Sequence, residues 1–419
     1  MSSKLLVYGS PYGSFNGSVK ISGAKNAALP LLAAAILTKD PVELKSIPRL
    51  ADIACMVTLI SSLGSEVSFG QEDSVTISSK DLSLSAPSIW AKKIRASILL
   101  LGPMLARYGS IELAMPGGCD IGLRPIMEHI AGLKALGADI EISNNKVTAK
   151  TSGLKGAYIK MQSVSVGATE NIIMAAVLAE GETVIENAAC EPEISDLINM
   201  LNKMGAKISG LGTNRICISG VASLSGIEYS VMPDRIEAGT FLIAATAARG
   251  NITLKNYNPG DIEILLKYLS QAGAKIDYNG SDLNLIMDSR PEAVSIETAV
   301  YPGFPTDLQA QWVALSAISK GKCKITENIF DDRFHHIAEL TKMGANISKN
   351  NNYIEVLGVE SLNSAVVSGS DLRATAGLVI AANTAVGQSE IINAHNIDRG
   401  YESFDLKLGS CGVIMQRVV

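Results

Sequence analysis

Lys134-Ala135-Leu136-Gly137-Ala138-Asp139-Ile140-Glu141-Ile142-Ser143-Asn144-Asn145-Lys146-Val147-Thr148-Ala149-Lys150 reads as the end of a helix, a Gly-Ala turn, a strand, a polar turn and a second strand. Apolar spacing changes from helical to alternating at Gly137, and Ser143-Asn144-Asn145 is turn chemistry between two strands. The same junction recurs as Leu63-Gly64, Met204-Gly205, Ala272-Gly273, Met343-Gly344 and Cys411-Gly412, stepping by about 70 residues. A second series keeps that period: Asp40, Gly109, Gly181, Gly250, Gly321 and Gly387 each end an Ala-rich helix and open a strand. Two markers in phase predict one α/β unit written six times: helix, strand, loop, helix, Gly-Ala turn, strand, turn, strand.

The sixth copy is cut short. After Val413-Ile414-Met415 there is no room for its closing strand, whereas Lys4-Leu5-Leu6-Val7-Tyr8 is a strand with no unit of its own. The N-terminal segment is therefore expected to complete the sixth unit and to pair near residues 416–419. Solenoid repeats run to roughly 20 to 50 residues, and a chain of 419 residues exceeds what one core usually organises. The units are expected to gather in threes, as a domain of residues 21–229 and a second of residues 1–20 with 230–419.

Hydrophobic residues make up 47% of the chain and charged residues 18%, enough for well-covered cores and too apolar for disorder. The net charge of -5 and the lack of any Lys/Arg run argue against nucleic acid as a partner. The longest apolar run, Leu29 to Leu37, is too short to span a bilayer, and Met1 to Tyr8 carries no secretory pattern, so a cytoplasmic protein without a membrane partner is expected. The six cysteines show no CxxC spacing and the four histidines no HExxH, and the dinucleotide and P-loop glycine patterns are missing too. No metal and no cofactor are expected. The oligomeric state is left open.

The most reactive-looking stretch is Pro116-Gly117-Gly118-Cys119-Asp120-Ile121-Gly122-Leu123-Arg124-Pro125. Its glycines allow a mobile loop and close approach to a ligand, Arg124 offers a planar fork for phosphate or carboxylate, and Pro125 fits the first turn of a helix over 126–136. Core thiols rarely sit between glycines, so Cys119 reads as functional. Counting back from the second marker series, the entrances of the first helices fall at Lys25, Arg95, Gly167, Arg235, Asp307 and Arg373. Helix N-termini attract anions, and a set of bases in register there makes an anion trap. Loops before the other helices carry a second set: Arg49, Cys119 with Arg124, Glu191 with Glu193, Arg333 and Arg399. If both sets face one cleft between the domains, that cleft would hold guanidinium groups, a few acids and one thiol, suited to binding phosphates and carboxylates and moving a proton.

Seven stretches carry a resemblance: Ile21-Ser22-Gly23-Ala24-Lys25-Asn26-Ala27-Ala28-Leu29-Pro30, the Cys119 loop, Ser165-Val166-Gly167-Ala168-Thr169, Pro233-Asp234-Arg235-Ile236-Glu237, Phe304-Pro305-Thr306-Asp307, Asp371-Leu372-Arg373-Ala374 and Ile397-Asp398-Arg399-Gly400-Tyr401. Together they resemble the enolpyruvyl transferases of the EPSP synthase-like family, in particular those acting on UDP-N-acetylglucosamine at the first committed step of peptidoglycan synthesis. The resemblance spans the chain. It implies a two-domain inside-out α/β barrel, phosphoenolpyruvate and UDP-N-acetylglucosamine as substrates, and no cofactor. The relatives acting on shikimate 3-phosphate lack the Gly-Gly-Cys loop.

Residue by residue, the resemblance implies that Lys25, Asn26, Arg124, Arg399, Arg333, Asp371 and Arg373 bind phosphoenolpyruvate. It implies that Arg95, Arg124, Pro125, Ser165, Val166, Gly167, Asp307 and Ile329 form the sugar-nucleotide surface, with Asn26 beside them. Catalysis would fall to Cys119 as proton donor, Asp307 as acceptor of the sugar hydroxyl proton, and Lys25. Two positions depart from the pattern: Ser163 stands where some relatives carry lysine, and Cys190 where some carry a base. Cys190 is read as structural.

Overall fold

Gly64, Gly137, Gly205, Gly273, Gly344 and Gly412 all have φ between +90° and +114°. Each follows the end of a helix: Ala51–Ser62, Met127–Ala135, Pro192–Lys203, Glu263–Gln271, His336–Lys342 and Phe404–Ser410. A side chain in that left-handed region is strained, so glycine both stops the helix and turns the chain into the next strand. The expected helix over 126–136 is Met127–Ala135, with Ile126 and Leu136 as its caps.

The computed structural model describes residues 3–9, 12–71, 73–117 and 126–418. These divide into two compact units: residues 23–117 with 126–232, and residues 3–22 with 233–418. Each unit contains three open sheets of three or four strands, with one further two-stranded pair, Leu362–Asn363 and Ala385–Val386, in the second. In the first unit, for example, Lys146–Lys150 lies between Ser110–Ala114 and Asp139–Ser143, antiparallel to both.

Five sheets gain a short strand parallel to their central one, from the chain leading into a buried helix. Tyr158–Lys160 lies parallel to Glu182–Glu186, and Glu228–Ser230 to Val42–Lys45. Asn16–Lys20 lies parallel to Asn251–Lys255, Ile296–Glu297 to Lys322–Thr326, and Val366–Ser368 to Gln388–Ile392. The repeat read from sequence contains none of these. The physical reason is their shape: Tyr158–Lys160 and Glu228–Ser230 each bury a single side chain between two exposed ones, too little for an alternation to register. Lys4–Tyr8 pairs antiparallel with Gln388–Ile392 on one side and Ile414–Val418 on the other, with Lys4 opposite Val418. The truncated sixth unit predicts this pairing of the chain ends.

Every residue of Arg235–Ala247, Gln309–Ile318 and Leu372–Asn383 is buried, and these three helices pack on one another within the second unit. Helices buried on every face belong inside a core. Their small residues permit close approach: a Cβ on Gly377 would lie 2.7 Å from the Ala310 carbonyl oxygen. Buried helix ends must satisfy their last carbonyls, and arginines supply the donors. Arg107 Nη1 donates to Ile36 O and Thr38 O, both at 2.8 Å, in the first unit. Arg290 donates to Ile318 O at 2.9 Å, Ser319 O at 3.0 Å and Val359 O at 2.7 Å in the second. Among the described residues no helix is long and apolar enough to cross a membrane.

Candidate functional site

The helix entrances expected from the marker spacing are where the structure puts them. Lys25 opens Lys25–Ala34, Arg95 opens the short 3-10 helix Arg95–Leu100, and Arg235 opens Arg235–Ala247. Gly167 and Arg373 are second residues of Val166–Ala176 and Leu372–Asn383, and Asp307 lies in the 3-10 turn Thr306–Leu308 that leads into Gln309–Ile318.

In the second unit Asp307 is clamped. Arg333 Nη2 donates to Oδ1 at 2.7 Å and Arg373 Nη2 to Oδ2 at 2.9 Å. The arginine side chains are 8% and 3% exposed while that of Asp307 keeps 25%, so the guanidiniums form the buried wall and the acid the accessible face. Burial by itself would raise the Asp307 carboxyl, but the Arg373 and Arg333 charges outweigh it and hold the group well below the usual carboxylate range. The Arg373 guanidinium carbon lies 5.2 Å from the Tyr401 ring centroid.

A polar layer supports this clamp. Gln311 Nε2 lies within hydrogen-bond distance of the Asp307 carbonyl at 3.0 Å, Thr240 Oγ1 at 3.0 Å and the Tyr401 hydroxyl at 2.9 Å. Arg333 Nη1 donates to Thr306 Oγ1 at 2.8 Å, which donates to Glu327 Oε2 at 2.8 Å. Asp371 is the N-cap of Leu372–Asn383, its Oδ1 accepting from Arg373 N at 2.8 Å and Ala374 N at 3.0 Å. That bond fixes the backbone from which Arg373 projects. Arg399 ends the 3-10 helix Ala394–Arg399, and the Ile329 amide donates to Glu327 Oε1 at 2.8 Å. Asp234 caps Arg235–Ala247 through Ile236 N and Glu237 N, and Arg235 faces the Tyr301 ring at 5.6 Å.

In the first unit Lys25 pairs with Asp52 at 2.8 Å, both side chains about one-tenth exposed, and Asn26 follows it half-buried on the same helix. Ser165 caps Val166–Ala176, accepting from Ala168 N at 3.4 Å. The His129 ring lies against Gly167, where a Cβ would meet its Cε1 at 3.2 Å. Burial, then the Arg95 charge, lowers His129 to about 3, so its imidazole is neutral. Gly102 N donates to Asn171 Oδ1 at 2.6 Å and Asn171 Nδ2 donates to Ile98 O at 2.9 Å, which leaves that amide donating to His129 Nδ1 at 3.1 Å. The neutral ring therefore carries its proton on Nε2. Burial, reinforced by Glu193 and Glu191, pushes Glu170 well above the usual carboxylate range. Burial and Glu191 likewise push the Cys190 thiol up, away from the reactive thiolate. Ser163 binds Glu128 Oε1 through its amide at 2.9 Å and its hydroxyl at 3.0 Å. Cys119, Arg124 and Pro125 lie outside the described residues.

The structure thus joins Asp307 and Arg373 from the helix-entrance set with Arg333 from the loop set. Sequence reasoning missed the groups that hold them, namely Thr306, Glu327, Gln311 and Thr240 as partners, with Asp52 and His129 in the other unit. Asp234 and Asp371, by contrast, carry the signal of an acid just before an apolar helix.

The family model for EPSP synthase (3-phosphoshikimate 1-carboxyvinyltransferase) matches residues 10–408. A UDP-N-acetylglucosamine 1-carboxyvinyltransferase of Cellvibrio japonicus (strain Ueda107) is 48% identical over 418 residues, 99% of each chain. The enolpyruvyl transferase NikO from Streptomyces tendae superposes with a TM-score of 0.89 at 20% identity, covering 100% of this chain and 99% of its own. An EPSP synthase of Acinetobacter baumannii does so with a TM-score of 0.77 at 17% identity, covering 100% of both chains. At those identities the two structures speak for a shared mixed α/β fold.

Proposed function

We propose, for a chain that belongs to the EPSP synthase family of enolpyruvyl transferases, that it transfers the enolpyruvyl group of phosphoenolpyruvate to the 3-hydroxyl of UDP-N-acetylglucosamine and releases phosphate. The observation that carries the choice of acceptor is the near-full-length likeness to a transferase of that name. The chemistry is supported by the acid-and-guanidinium cluster at Asp307.

Protonation of C3 of phosphoenolpyruvate generates positive character at C2. The sugar hydroxyl adds there as its proton leaves, giving a tetrahedral ketal, and phosphate then departs as C3 gives up a proton. That sequence calls for an acid at the methylene carbon, a base at the hydroxyl and fixed cations around phosphate and carboxylate. Cys119 is assigned the acid and Asp307 the base. Lys25, Arg124, Arg333, Arg373 and Arg399 are assigned to the phosphate and carboxylate, with Asn26 and Asp371 beside them. Arg95, Arg124, Pro125, Ser165, Val166, Gly167, Asp307 and Ile329 are assigned to the sugar nucleotide. Both sets thereby act on the same pair of substrates.

A doubly paired Asp307 is ionised and able to accept, yet a weak base. An anion that draws Arg373 or Arg333 toward itself would raise its basicity at the moment the substrate is present. We assign the fold, more finely, to six pseudo-repeats arranged three per domain in an inside-out α/β barrel, and the enzyme to the cytoplasm. The test is product analysis in deuterium oxide. A vinyl ether on the sugar 3-oxygen with deuterium in its methylene is expected, whereas unlabelled methylene would remove the addition-elimination path.

A further inference from the structure

Glu327 follows the strand Lys322–Thr326, is 2% exposed, and carries no role in the chemistry above. Four donors converge on its carboxylate. Oε1 accepts from Thr298 Oγ1 at 2.9 Å, Ile329 N at 2.8 Å and Phe330 N at 3.2 Å, and Oε2 accepts from Thr306 Oγ1 at 2.8 Å. An ionised carboxylate can only accept, so the Thr306 hydroxyl must spend its single proton on Glu327. Its oxygen is then left as an acceptor, and Arg333 Nη1 donates to it at 2.8 Å while Arg333 Nη2 donates to Asp307 Oδ1 at 2.7 Å. Every bond in the chain Arg333, Thr306, Glu327 has one permitted direction.

We propose that Glu327 is a positioning residue for the transfer reaction: through the Thr306 hydroxyl it sets the orientation of the Arg333 fork on Asp307, and through the Ile329 amide it ties the same alignment to the sugar-nucleotide segment. The inference rests on the proposed enolpyruvyl transfer. Thr306 adjoins Asp307 in the chain, so one carboxylate governs both the backbone before the base and the guanidinium that clamps it. A free hydroxyl at Thr306 could instead donate toward another acceptor and present its hydrogen to Arg333, which has no acceptor to offer. Loss of a hydrogen bond to a charged group also costs more than loss of a neutral one.

The experiment compares Glu327→Gln, Thr306→Val and Thr306→Ser with wild type by steady-state phosphate release, thermal midpoint and NMR of the Arg333 Nη nitrogens in 15N-arginine-labelled protein. Thr306→Val keeps the shape and removes the hydroxyl, while Thr306→Ser restores it. The expected result is a fall in kcat of about ten- to a hundredfold for Glu327→Gln and Thr306→Val, with KM for phosphoenolpyruvate within about threefold of wild type. Thr306→Ser should recover most of that loss. The two Nη signals of Arg333 should be distinct in wild type and Thr306→Ser and should merge in Thr306→Val. Wild-type kcat in Thr306→Val overturns the inference, as does a Thr306→Ser variant no better than Thr306→Val, or a loss that tracks the thermal midpoint alone. The NMR readout needs no turnover: distinct Nη signals that persist in Thr306→Val refute the relay, whereas an inactive wild type with the expected spectra refutes only the transferase reading.

Discussion

One helix entrance in each unit carries a charge paired with buried partners, and the two charges are opposite. In residues 23–232 the cation Lys25 is joined to Asp52, whereas in residues 233–418 the acid Asp307 is held by Arg333 and Arg373. A helix N-terminus with its unpaired amides welcomes an anion, so Asp307 suits its position. Lys25 sits against that field, and the Asp52 carboxylate offsets it. The comparison teaches that the fold specifies where polar groups are presented, and each unit uses separate buried partners to hold the charge placed there.

The largest effect that could break this comparison comes from Asp307. Asp307→Ala leaves two buried guanidiniums without their anion and removes the proposed base, so kcat should fall by about 10²–10⁴-fold in steady-state phosphate release. Turnover within about threefold of wild type would place the base elsewhere. Lys25→Ala comes next. It breaks the buried pair with Asp52 and removes a proposed phosphate contact, at a cost of roughly 2–5 kcal/mol, which should appear in kcat/KM and in the midpoint of urea unfolding. A loss in stability with no loss in kcat/KM would make Lys25 structural.

Acid separates the two units in a second way. His129 in the first unit is lowered from 6.5 to about 3, so the unfolded chain binds its proton first as pH falls. The stabilisation from keeping it neutral is fully present above pH 6.5 and is lost as pH falls toward 3, at about 1.4 kcal/mol per pH unit for this one group. Urea unfolding followed across that window should show the slope, and His129→Gln should flatten it. His336 in the second unit, lowered to about 4 mainly by burial, gives a parallel slope over a shorter window. The smallest effect is expected at the cap of Arg235–Ala247: Asp234→Ala should cost about 1 kcal/mol by urea unfolding, since two amides lose their acceptor.

Much of the architecture was legible because it rests on backbone necessities. A glycine at Gly64, Gly137, Gly205, Gly273, Gly344 and Gly412 answers a left-handed φ that few residues tolerate, and its spacing exposes the repeat. The helix entrances follow from the same count. What stayed hidden depends on contacts distant in sequence. Tyr158–Lys160 and its counterparts are strands only because a central strand lies alongside. Glu327 looks like any acid after a strand until Thr298, Thr306, Ile329 and Phe330 are seen to converge on it. Asp371 was read as part of an anion site, while the structure adds its work as a helix cap.

Phosphate release with different acceptors tests the central claim most directly. The protein is mixed with phosphoenolpyruvate alone, with UDP-N-acetylglucosamine added, or with shikimate 3-phosphate added in its place. Release that requires UDP-N-acetylglucosamine and is absent with the other two mixtures is the predicted result; release with shikimate 3-phosphate, or none with any mixture, would contradict the account.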